Sequence, residues 1–478
     1  QVNLNAAVGG TNPLSSLTIT TGALTSDAIK LNGALTVNNS TTSAISGAIT
    51  DGASAASLVK TQGGILALSG NNTFTGSTAV NAGTLKIVND DPTTYLAATS
   101  GITGNGSLTI ESAGSNFSSA ISTTKLTGNF TLLTVGKTGN SQTINISNDI
   151  TTTGDQRYNG PVVLSGGDRT LTTGTSNDDI FFESTVDSDG TARSLAVSAG
   201  TSSGGEVVFS GAVGGNSELS GLTSDSKLFK ASSNITLAGL LDVDIYGNSQ
   251  SSNYGIAGGI LDGTSPASFS KGGGSNRWLE LYGNNNYTGA TTIKSGYLRL
   301  TNDSPHSFLN NTTITGPGHI QIRPSNTDFS STLSMSDINF TGTLINKLYL
   351  GRSTTNTKLV LDEDISIGDE IHIYMPVEVN GGDRSITANN DPIRFYKTIN
   401  SDTSARTLTL NSGNSNVRID GTVGNSAPLN NLNITSQQLT AGAIKLNGAL
   451  TATLGGSSTI SGVISNGAST ANLVKAGN

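Results

Sequence analysis

Short runs in which apolar and polar residues alternate recur along the whole chain, as in Leu108-Thr109-Ile110, Ile144-Asn145-Ile146 and Leu408-Thr409-Leu410. Successive side chains of a β-strand point to opposite faces, so each run places its apolar groups on one face. Gly-Gly, Asn-Gly and Asp-Gly pairs separate the runs and suit turns, because glycine tolerates positive φ. The pattern predicts short strands throughout the chain. The Ala-rich stretch 51–56 is the best place for a single helical turn.

The chain also repeats itself. Residues 28–36 read AIKLNGALT and recur unchanged at 443–451, and the motif at 45–49 returns at 256–260 and at 460–464. Apolar positions and turn glycines match between copies, while the residues between them differ. Such a pattern preserves strand register, since a slip of one residue would exchange the two faces of a strand. We therefore divide the chain into repeat units 1–210 and 211–420 and a partial third copy, 421–478.

Strand-only repeats predict an all-β fold. We expect one continuous parallel β-helix, or β-solenoid, over residues 1–478, built from tandem units of about 210 residues. The rival arrangement is a string of β-sandwiches. It would need linkers between domains, and only 10 prolines occur in the chain, none of them in a Pro-rich linker.

Composition narrows the possible functions. The 478 residues carry a net charge of −8, which argues against nucleic-acid binding and against docking on anionic lipid. The absence of cysteine excludes a disulfide framework, thiolate zinc sites and a cysteine nucleophile. No stretch approaches the 18 or so apolar residues that a membrane span requires. The chain begins with Gln1, which suggests a processed or trimmed product.

One segment resembles a known family. Residues 58–85 read LVKTQGGILALSGNNTFTGSTAVNAGTL, which closely resembles the autotransporter-associated β-strand repeat. A second copy runs from Trp278 to Leu300 with Tyr282-Gly283 in place of Ser-Gly, and a third is cut off at 475–478. The segments between these copies look more generally like repeats of large bacterial haemagglutinin-type surface proteins.

The resemblance implies an exported, right-handed parallel β-helix on a bacterial cell surface, which serves as a stalk or an adhesin. It implies an extracellular location. The family is typically poor in cysteine, in agreement with this chain.

Some β-helices are polysaccharide hydrolases or lyases that gather carboxylates on adjacent turns. The candidate acids are Asp168 and Asp383 in two Gly-Gly-Asp-Arg turns, Asp187 and Asp189, and the run Asp362, Glu363 and Asp364. A catalytic site need not be duplicated, whereas an ion pair within a turn would be. We therefore interpret the Gly-Gly-Asp-Arg motif as a turn and predict no catalytic residues. A carbohydrate-active enzyme remains the alternative function.

No cofactor and no metal ligand are predicted. The segment Asp187-Ser188-Asp189-Gly190 faintly resembles a calcium loop but lacks the distal glutamate of an EF-hand. The three histidines, His306, His319 and His372, are not at metal-ligand spacing, so we expect them on the surface.

Two aromatic residues are candidates for a ligand surface, Trp278 and Tyr282. Tyr287 is expected to pack inside, because Phe74 holds its place in the first copy. The asparagines at 71–72 and 284–286 either stack as a ladder between turns or form separate Asx-turns. The least repetitive stretch, roughly 226–255, is the candidate for a receptor-binding loop.

The sequence thus predicts a non-enzymatic structural protein, an adhesin stalk or fibre subunit. Both ends of the sequence fall inside a repeat unit without an evident polar cap. Unpaired strand edges invite pairing, so the partner is either another copy, stacked end to end into a filament, or the continuation of a longer chain. Surface glycans or proteins of host or neighbouring cells are further candidate partners. The residues expected at such stacking ends are Val2, Leu4, Ile460, Ile464 and Leu473.

Overall fold

The computed structural model describes residues 1–174, 177–200, 204–247, 254–309, 311–340 and 345–477. The chain divides into two compact units. Unit 1 comprises Gln1–Gly247 and Gly263–Ser265, and unit 2 comprises Asn248–Asp262 and Pro266–Asn478. Both units are parallel β-solenoids, with about 20 turns in total and almost no helix. No helix of the described residues is long and apolar enough to cross a membrane.

Unit 1 contains 28 described strands and one short helix, α1 (Thr93–Ala98). In chain order the strands are β1 (Val2–Leu4), β2 (Leu17–Thr21), β3 (Leu24–Ser26), β4 (Ile29–Leu31), β5 (Ala34–Asn39), β6 (Ser43–Ile45), β7 (Ile49–Asp51), β8 (Ser57–Thr61), β9 (Ile65–Leu68), β10 (Thr78–Val80), β11 (Thr84–Val88), β12 (Ile102–Thr103), β13 (Ser107–Glu111), β14 (Ile121–Ser122), β15 (Leu132–Gly136), β16 (Ile144–Ile146), β17 (Ile150–Thr151), β18 (Asp155–Asn159), β19 (Val162–Leu164), β20 (Arg169–Thr172), β21 (Ile180–Phe182), β22 (Val186–Ser188), β23 (Arg193–Ser198), β24 (Glu206–Phe209), β25 (Leu219–Ser226), β26 (Leu228–Ala231), β27 (Ile235–Leu237) and β28 (Leu240–Ile245).

The longest sheet of unit 1 collects one strand from each turn. Its parallel order is β1-β3-β6-β9-β11-β13-β15-β18-β21-β24-β26. A second parallel sheet runs β2-β5-β8-β10-β12, a third β14-β16-β19-β22 and a fourth β17-β20-β23-β25-β28. Strands of successive turns therefore stack in parallel along the faces of the solenoid.

Unit 2 has the same organisation, with 26 described strands, the helix α2 (His306–Leu309) and a 3-10 turn at Met335–Asp337. Its strands are β29 (Gly255–Ile256), β30 (Ile260–Asp262), β31 (Ser268–Gly273), β32 (Trp278–Leu281), β33 (Thr291–Ile293), β34 (Tyr297–Thr301), β35 (Ile314–Thr315), β36 (His319–Arg323), β37 (Leu333–Ser334), β38 (Lys347–Leu350), β39 (Leu359–Leu361), β40 (Ile365–Ile367), β41 (Ile371–Ile373), β42 (Val377–Val379), β43 (Arg384–Ala388), β44 (Ile393–Phe395), β45 (Ile399–Ser401), β46 (Leu408–Asn411), β47 (Asn416–Ile419), β48 (Leu432–Ser436), β49 (Gln438–Ala441), β50 (Ile444–Leu446), β51 (Ala449–Leu454), β52 (Thr459–Ile460), β53 (Ile464–Asn466) and β54 (Asn472–Ala476).

The longest sheet of unit 2 is also parallel, in the order β29-β32-β34-β36-β38-β41-β44-β47-β49-β52. We call it the long sheet of unit 2. Parallel sheets also form from β37-β39-β42-β45 and from β40-β43-β46-β48-β51-β54.

The alternating pattern read from the sequence builds the core. The predicted runs at 108–110, 144–146 and 408–410 all lie in strands, with their Leu and Ile side chains buried and the residue between them only partly covered. Because the strands pair in register, each buried side chain lies above an equivalent one in the next turn, as Leu108 lies above Leu133. The core is thus a set of apolar columns.

Residues 51–56, the best place in the sequence for a helical turn, form no helix. Asp51 ends β7 and a turn follows it, and the Asp51 carboxylate accepts the backbone N–H of Ala56 at 2.6 Å. This Asx-type bond competes with helix formation. The helices lie instead at α1 and α2, next to Pro92 and Pro305.

Two lysines are buried in the solenoid, which their charge alone would not suggest. The side chain of Lys60 is fully buried, and its Nζ donates to the carbonyl oxygens of Thr61 and Gln62, each at 2.7 Å, and of Ala82 at 3.2 Å. Lys271 is likewise fully buried, with Nζ donating to Gly272 at 2.8 Å. Each ammonium group thus satisfies carbonyls at a bend.

Candidate functional site: an aromatic face on unit 2

The outward side of the long sheet of unit 2 is rich in aromatic rings. In-register pairing sets one outward column as Trp278, Tyr297, His319 and Lys347, and the next as Glu280, Arg299, Gln321, Tyr349, His372, Arg394 and Arg418. Tyr282, Tyr374 and Tyr396 each follow directly on a strand of this sheet. We call the ring-bearing residues the aromatic face: Trp278, Tyr282, Tyr297, His319, Tyr349, His372, Tyr374 and Tyr396.

The first part of this face is a stack that begins at Trp278. The rings of Trp278 and Tyr297 are nearly parallel, 14° apart, with centroids at 4.0 Å, and His319 follows Tyr297 at 4.3 Å. The guanidinium of Arg299 lies 4.2 Å from the centroid of Trp278, in a cation–π contact. These residues are all half-buried, so the rings are held rigidly but remain accessible.

Glu280 lies beneath the stack and pairs with two arginines. Its side chain is 3% exposed, and it lies 2.8 Å from Arg323 and 3.4 Å from Arg299. The hydroxyl of Thr301 also donates to it. Burial alone would raise the pKa of Glu280, but the Thr301 hydroxyl and the two guanidinium groups outweigh it and hold that pKa below its usual range. Burial and the Glu280 charge raise the pKa of the Tyr282 phenol to about 12.

The second part of the face is centred on His372. The rings of Tyr374 and Tyr396 stack at 4.1 Å with 9° between their planes, and Tyr349 lies 4.8 Å from His372. Burial lowers the pKa of His372 despite the neighbouring Glu370. Because a carboxylate can only accept, the neutral ring donates from Nε2 to Glu370 at 3.1 Å, and Nδ1 accepts the Tyr396 hydroxyl at 3.0 Å.

Carboxylates from two successive turns meet beside this histidine. Lys347 Nζ lies 3.1 Å from Glu370 and 3.7 Å from Asp369. Burial and the carboxylate of Asp369 raise the pKa of Asp391, whereas Lys347 holds the pKa of Glu370 below its usual range against the effect of burial. Sequence analysis missed this group. Its members are separated by about one turn of chain, and turn length varies along the solenoid.

The outer border of the face carries exposed guanidinium groups. Arg394 is exposed and forms no hydrogen bond or ion pair with the described residues, and Arg418 pairs with Asp420 at 2.6 Å. The predicted ligand residues Trp278 and Tyr282 thus belong to a larger surface.

The prediction that all three histidines lie on the surface is wrong for His372, which is only 7% exposed. His319 is half-buried, and His306 pairs with Asp337 at 2.8 Å.

The acids considered for catalysis accept hydrogen bonds from nearby residues. Asp168 and Asp383 each accept a backbone N–H of the next turn at 2.8 Å, from Ser194 and Thr407. We expected an ion pair inside each Gly-Gly-Asp-Arg turn. The ion pairs lie nearby instead, between Asp189 and Arg193 at 2.9 Å and between Asp402 and Arg406 at 3.1 Å.

Asp187, Asp362 and Asp364 likewise accept hydrogen bonds from nearby residues. Asp187 is 5% exposed and accepts the backbone N–H and the side-chain amide of Asn216, and Asp362 accepts the hydroxyl groups of Ser334 and Ser336. Asp364 accepts the N–H of Ser385. Within the described ranges, no group of three or more His, Asp or Glu side chains is arranged to hold a metal ion.

The three remaining predictions fare differently. Much of the stretch 226–255 is not a loop, because β26, β27 and β28 occupy 228–245; residues 248–253 lie outside the described ones. Tyr287 packs inside as expected, fully buried and bonded to Thr291 at 2.6 Å. The side-chain oxygen of Asn71 accepts from Asn89 of the next turn at 3.0 Å, as a ladder requires, whereas the Asn72 amide donates to Gly70 of its own turn at 2.8 Å, so both arrangements occur.

The residues predicted for end-to-end assembly lie in both units. In unit 1, Val2 and Leu4 are half-buried in β1 and pair with Leu24 and Ser26. In unit 2, residues of the last turns line a cavity of about 620 Å³, among them Ile460, Ile464 and Leu473. Leu473 is 60% exposed.

Two segments of the chain match a known repeat. The family model described as passenger-associated-transport-repeat matches residues 58–87 and 279–300. Comparison of the chain with curated proteins and with solved structures found no match in either set. The repeat family implies a secreted or surface location, and together with the solenoid fold it fits a surface passenger domain.

Both matched segments need a glycine at the same motif position. Gly83 and Gly296 have φ of +67° and +66°, where a side chain would be strained. A Cβ atom there would also lie 2.4 Å from the carbonyl oxygen of Gln62 and 2.6 Å from that of Arg277. The chain therefore carries the passenger-associated-transport-repeat in two places, as the autotransporter resemblance of its sequence indicated.

Proposed function

We propose that the chain is a non-enzymatic structural protein of the bacterial cell surface, an adhesin stalk or fibre subunit that contacts its ligand through the aromatic face. The observation that carries the proposal is the aromatic face itself, on a solenoid that contains two passenger-type repeats. Trp, Tyr and Arg are the residues enriched at binding hot spots. Here they stand on strands, a rigid scaffold that limits the entropy lost on binding.

The proposal includes a right-handed winding and a repeat of about 210 residues, in one continuous solenoid over 1–478. Equivalent internal contacts in the two units support the repeat. Asn72 accepts the N–H of Ile49 at 2.9 Å, and Asn285 accepts that of Ile260 at 3.0 Å. The carboxylates of Asp51 and Asp262 likewise each accept the hydroxyl of a threonine one turn on, both at 2.7 Å.

A cell-binding assay tests the role of the aromatic face. The variant Trp278→Ser/Tyr374→Ser/Tyr396→Ser removes three rings, and Thr109→Ala/Thr134→Ala is the matched control on the outward side of unit 1. Fluorescently labelled protein is applied to epithelial and to bacterial cells. We expect the ring variant to bind at least about tenfold less than the control, because hot-spot truncations cost 2 kcal/mol or more. Equal binding by folded variants would refute the role of the face.

The end-to-end stacking of copies is part of the proposal. Electron microscopy at low and high protein concentration distinguishes fibres from isolated molecules. Substitution of Leu4 or Ile464 by Asp should abolish fibres, because a buried charge in a pairing edge is costly. Fibres that persist in both variants would show that these residues do not mediate assembly.

The alternative function, a polysaccharide hydrolase or lyase, is favoured by one observation. Asp369, Glu370 and Asp391 meet on successive turns beside Lys347. The pKa of Asp391 is raised and that of Glu370 is lowered, which is the separation that an acid and a base require. Release of reducing or unsaturated ends from plant and bacterial polysaccharides tests it. Activity that disappears in Asp391→Asn would replace the non-enzymatic proposal.

A further inference from the structure

A polar cavity lies on unit 1 and shares no residue with the aromatic face. Its volume is about 500 Å³, within the range of small-molecule sites. Three successive turns contribute to it, at the ends of β15, β18 and β21. The lining residues are Thr138, Gly139, Asn140, Arg157, Asn159, Gly160, Glu183 and Ser184.

The walls of the cavity are held by internal hydrogen bonds. Asn140 is 7% exposed, and its amide donates to Gln142 at 2.9 Å and accepts from the N–H of Gln142 at 3.2 Å. The amide of Asn159 donates to Gly136 at 3.2 Å. Gly160 lets the two walls approach, because a Cβ atom there would lie 2.3 Å from the Asn140 amide nitrogen. The cavity is therefore preformed rather than opened by a ligand.

The charges in the cavity cancel. Arg157 forms an ion pair with Glu183, and their side chains are 37% and 36% exposed. Arg157 is also held over the ring of Phe181, at 4.0 Å from its centroid, so the pair is fixed in place. A ligand with a net charge would find no uncompensated partner. Donors and acceptors that bond to none of the described residues remain on the Arg157 guanidinium, on the Asn159 side-chain carbonyl and on the hydroxyls of Thr138 and Ser184.

We infer that this cavity binds a neutral saccharide. Vicinal hydroxyl groups both donate and accept, which matches a lining of guanidinium, carboxylate, amide and hydroxyl groups without net charge. The lining has no aliphatic side chain larger than the methyl of Thr138, which argues against an apolar ligand. The inference does not rest on the function proposed for the aromatic face, because the two surfaces share no residue.

Titration calorimetry with defined disaccharides tests the inference. The neutral probes are cellobiose, lactose, maltose and chitobiose, and the acidic probe is digalacturonic acid. We expect saturable binding of at least one neutral probe at millimolar concentration and weaker binding of the acidic one. Arg157→Ala, and Ser184→Tyr, which fills the cavity, should each weaken it at least tenfold.

The control variant is Arg193→Ala, which removes a comparable Arg–Asp pair of unit 1 that does not line the cavity. It should bind like the unaltered protein, and so should Tyr374→Ser/Tyr396→Ser. The inference is overturned by the absence of saturable binding of every neutral probe, by unchanged binding in Ser184→Tyr, or by tighter binding of the acidic probe.

Discussion

Both units stack aromatic rings on successive turns, but on opposite sides of the sheet. In unit 1 the rings of Tyr158, Phe182, Phe209 and Phe229 are fully buried, with successive centroids 5.4, 4.7 and 5.9 Å apart. In unit 2 the stacked rings stand on the outward side, and Trp278 and Tyr297 are half-buried. The outward column of unit 1 holds a single aromatic ring among the described residues, that of Phe181. Its other members are Asn3, Thr25, Ala44, Ala67, Lys86, Thr109, Thr134, Arg157, Val208 and Lys230.

The same in-register stacking of strands holds rings inside the core of unit 1 and on the surface of unit 2. In-register parallel strands place equivalent residues about 4.8 Å apart along a column, close to the spacing of stacked rings. Whether a column points in or out depends only on the parity of its position in the strand. A ring column inside adds buried apolar area, whereas a column outside holds rings in place at the surface without supplying the core. We therefore expect substitutions in the two stacks to differ sharply in their effects.

The largest effect is expected inside unit 1. Phe209→Ala removes a ring that contacts both Phe182 and Phe229. The cavity left behind should cost about 3–5 kcal/mol of unfolding free energy. Urea unfolding followed by circular dichroism measures this loss. A cost no larger than that of removing an outward ring of unit 2 would break the comparison.

A smaller effect is expected at Glu280, a nearly buried charge beneath the outward stack. Glu280→Gln leaves Arg299 and Arg323 without their carboxylate, and we expect a loss of about 1–3 kcal/mol. Because the pKa of Glu280 is lowered in the folded state, its contribution is present above the unfolded pKa and is lost as the pH falls through the folded one.

The variant should therefore be less sensitive to acid than the unaltered protein. Urea unfolding of both proteins between pH 3 and pH 7 measures this. Parallel pH profiles would show that the Glu280 carboxylate does not stabilise the face.

The buried Lys60 of unit 1 should make the free energy of unfolding depend on pH in the alkaline range. Burial lowers the pKa of Lys60 to about 8, whereas an unfolded lysine titrates near 10.4. Between these values the unfolded state binds more protons, so stability should rise with pH, by about 1–2 kcal/mol from pH 8 to pH 9.5. Lys60→Met should flatten this rise. The same slope in both proteins would show that the three carbonyl bonds keep the ammonium charged.

The smallest effect on stability is expected on the aromatic face. Tyr396→Ala removes the stacking with Tyr374 and the hydroxyl bond to His372. Such a pair contributes about 0.5–1.5 kcal/mol, and the site is half open to water, so we expect a loss of about 1 kcal/mol. Urea unfolding checks the value. A loss as large as that of Phe209→Ala would mean that the face is part of the core of unit 2.

Some features of the two stacks could be predicted from single positions. Phe74 and Tyr287 occupy equivalent inward places in the repeat, and both are fully buried. Trp278 and Tyr282 lie half-buried on the outward side of the sheet, and their role as a ligand surface stays a prediction. Lys60 could not be recognised as buried, because a lysine between Val59 and Thr61 looks like an ordinary outward residue. Its burial depends on carbonyl groups of a neighbouring turn, including that of Ala82.

The class of fold, the strands and the repeat family could be predicted from the amino-acid sequence alone. These depend on alternation within a few residues and on turn glycines, which are local properties of the chain. Which outward residues become neighbours is seen only in the tertiary structure. Tyr349, His372 and Arg394 share a column although they are 23 and 22 residues apart. The alternation within a strand sets which face each residue takes. Because turns differ in length, it does not show which residue of the next turn shares the column.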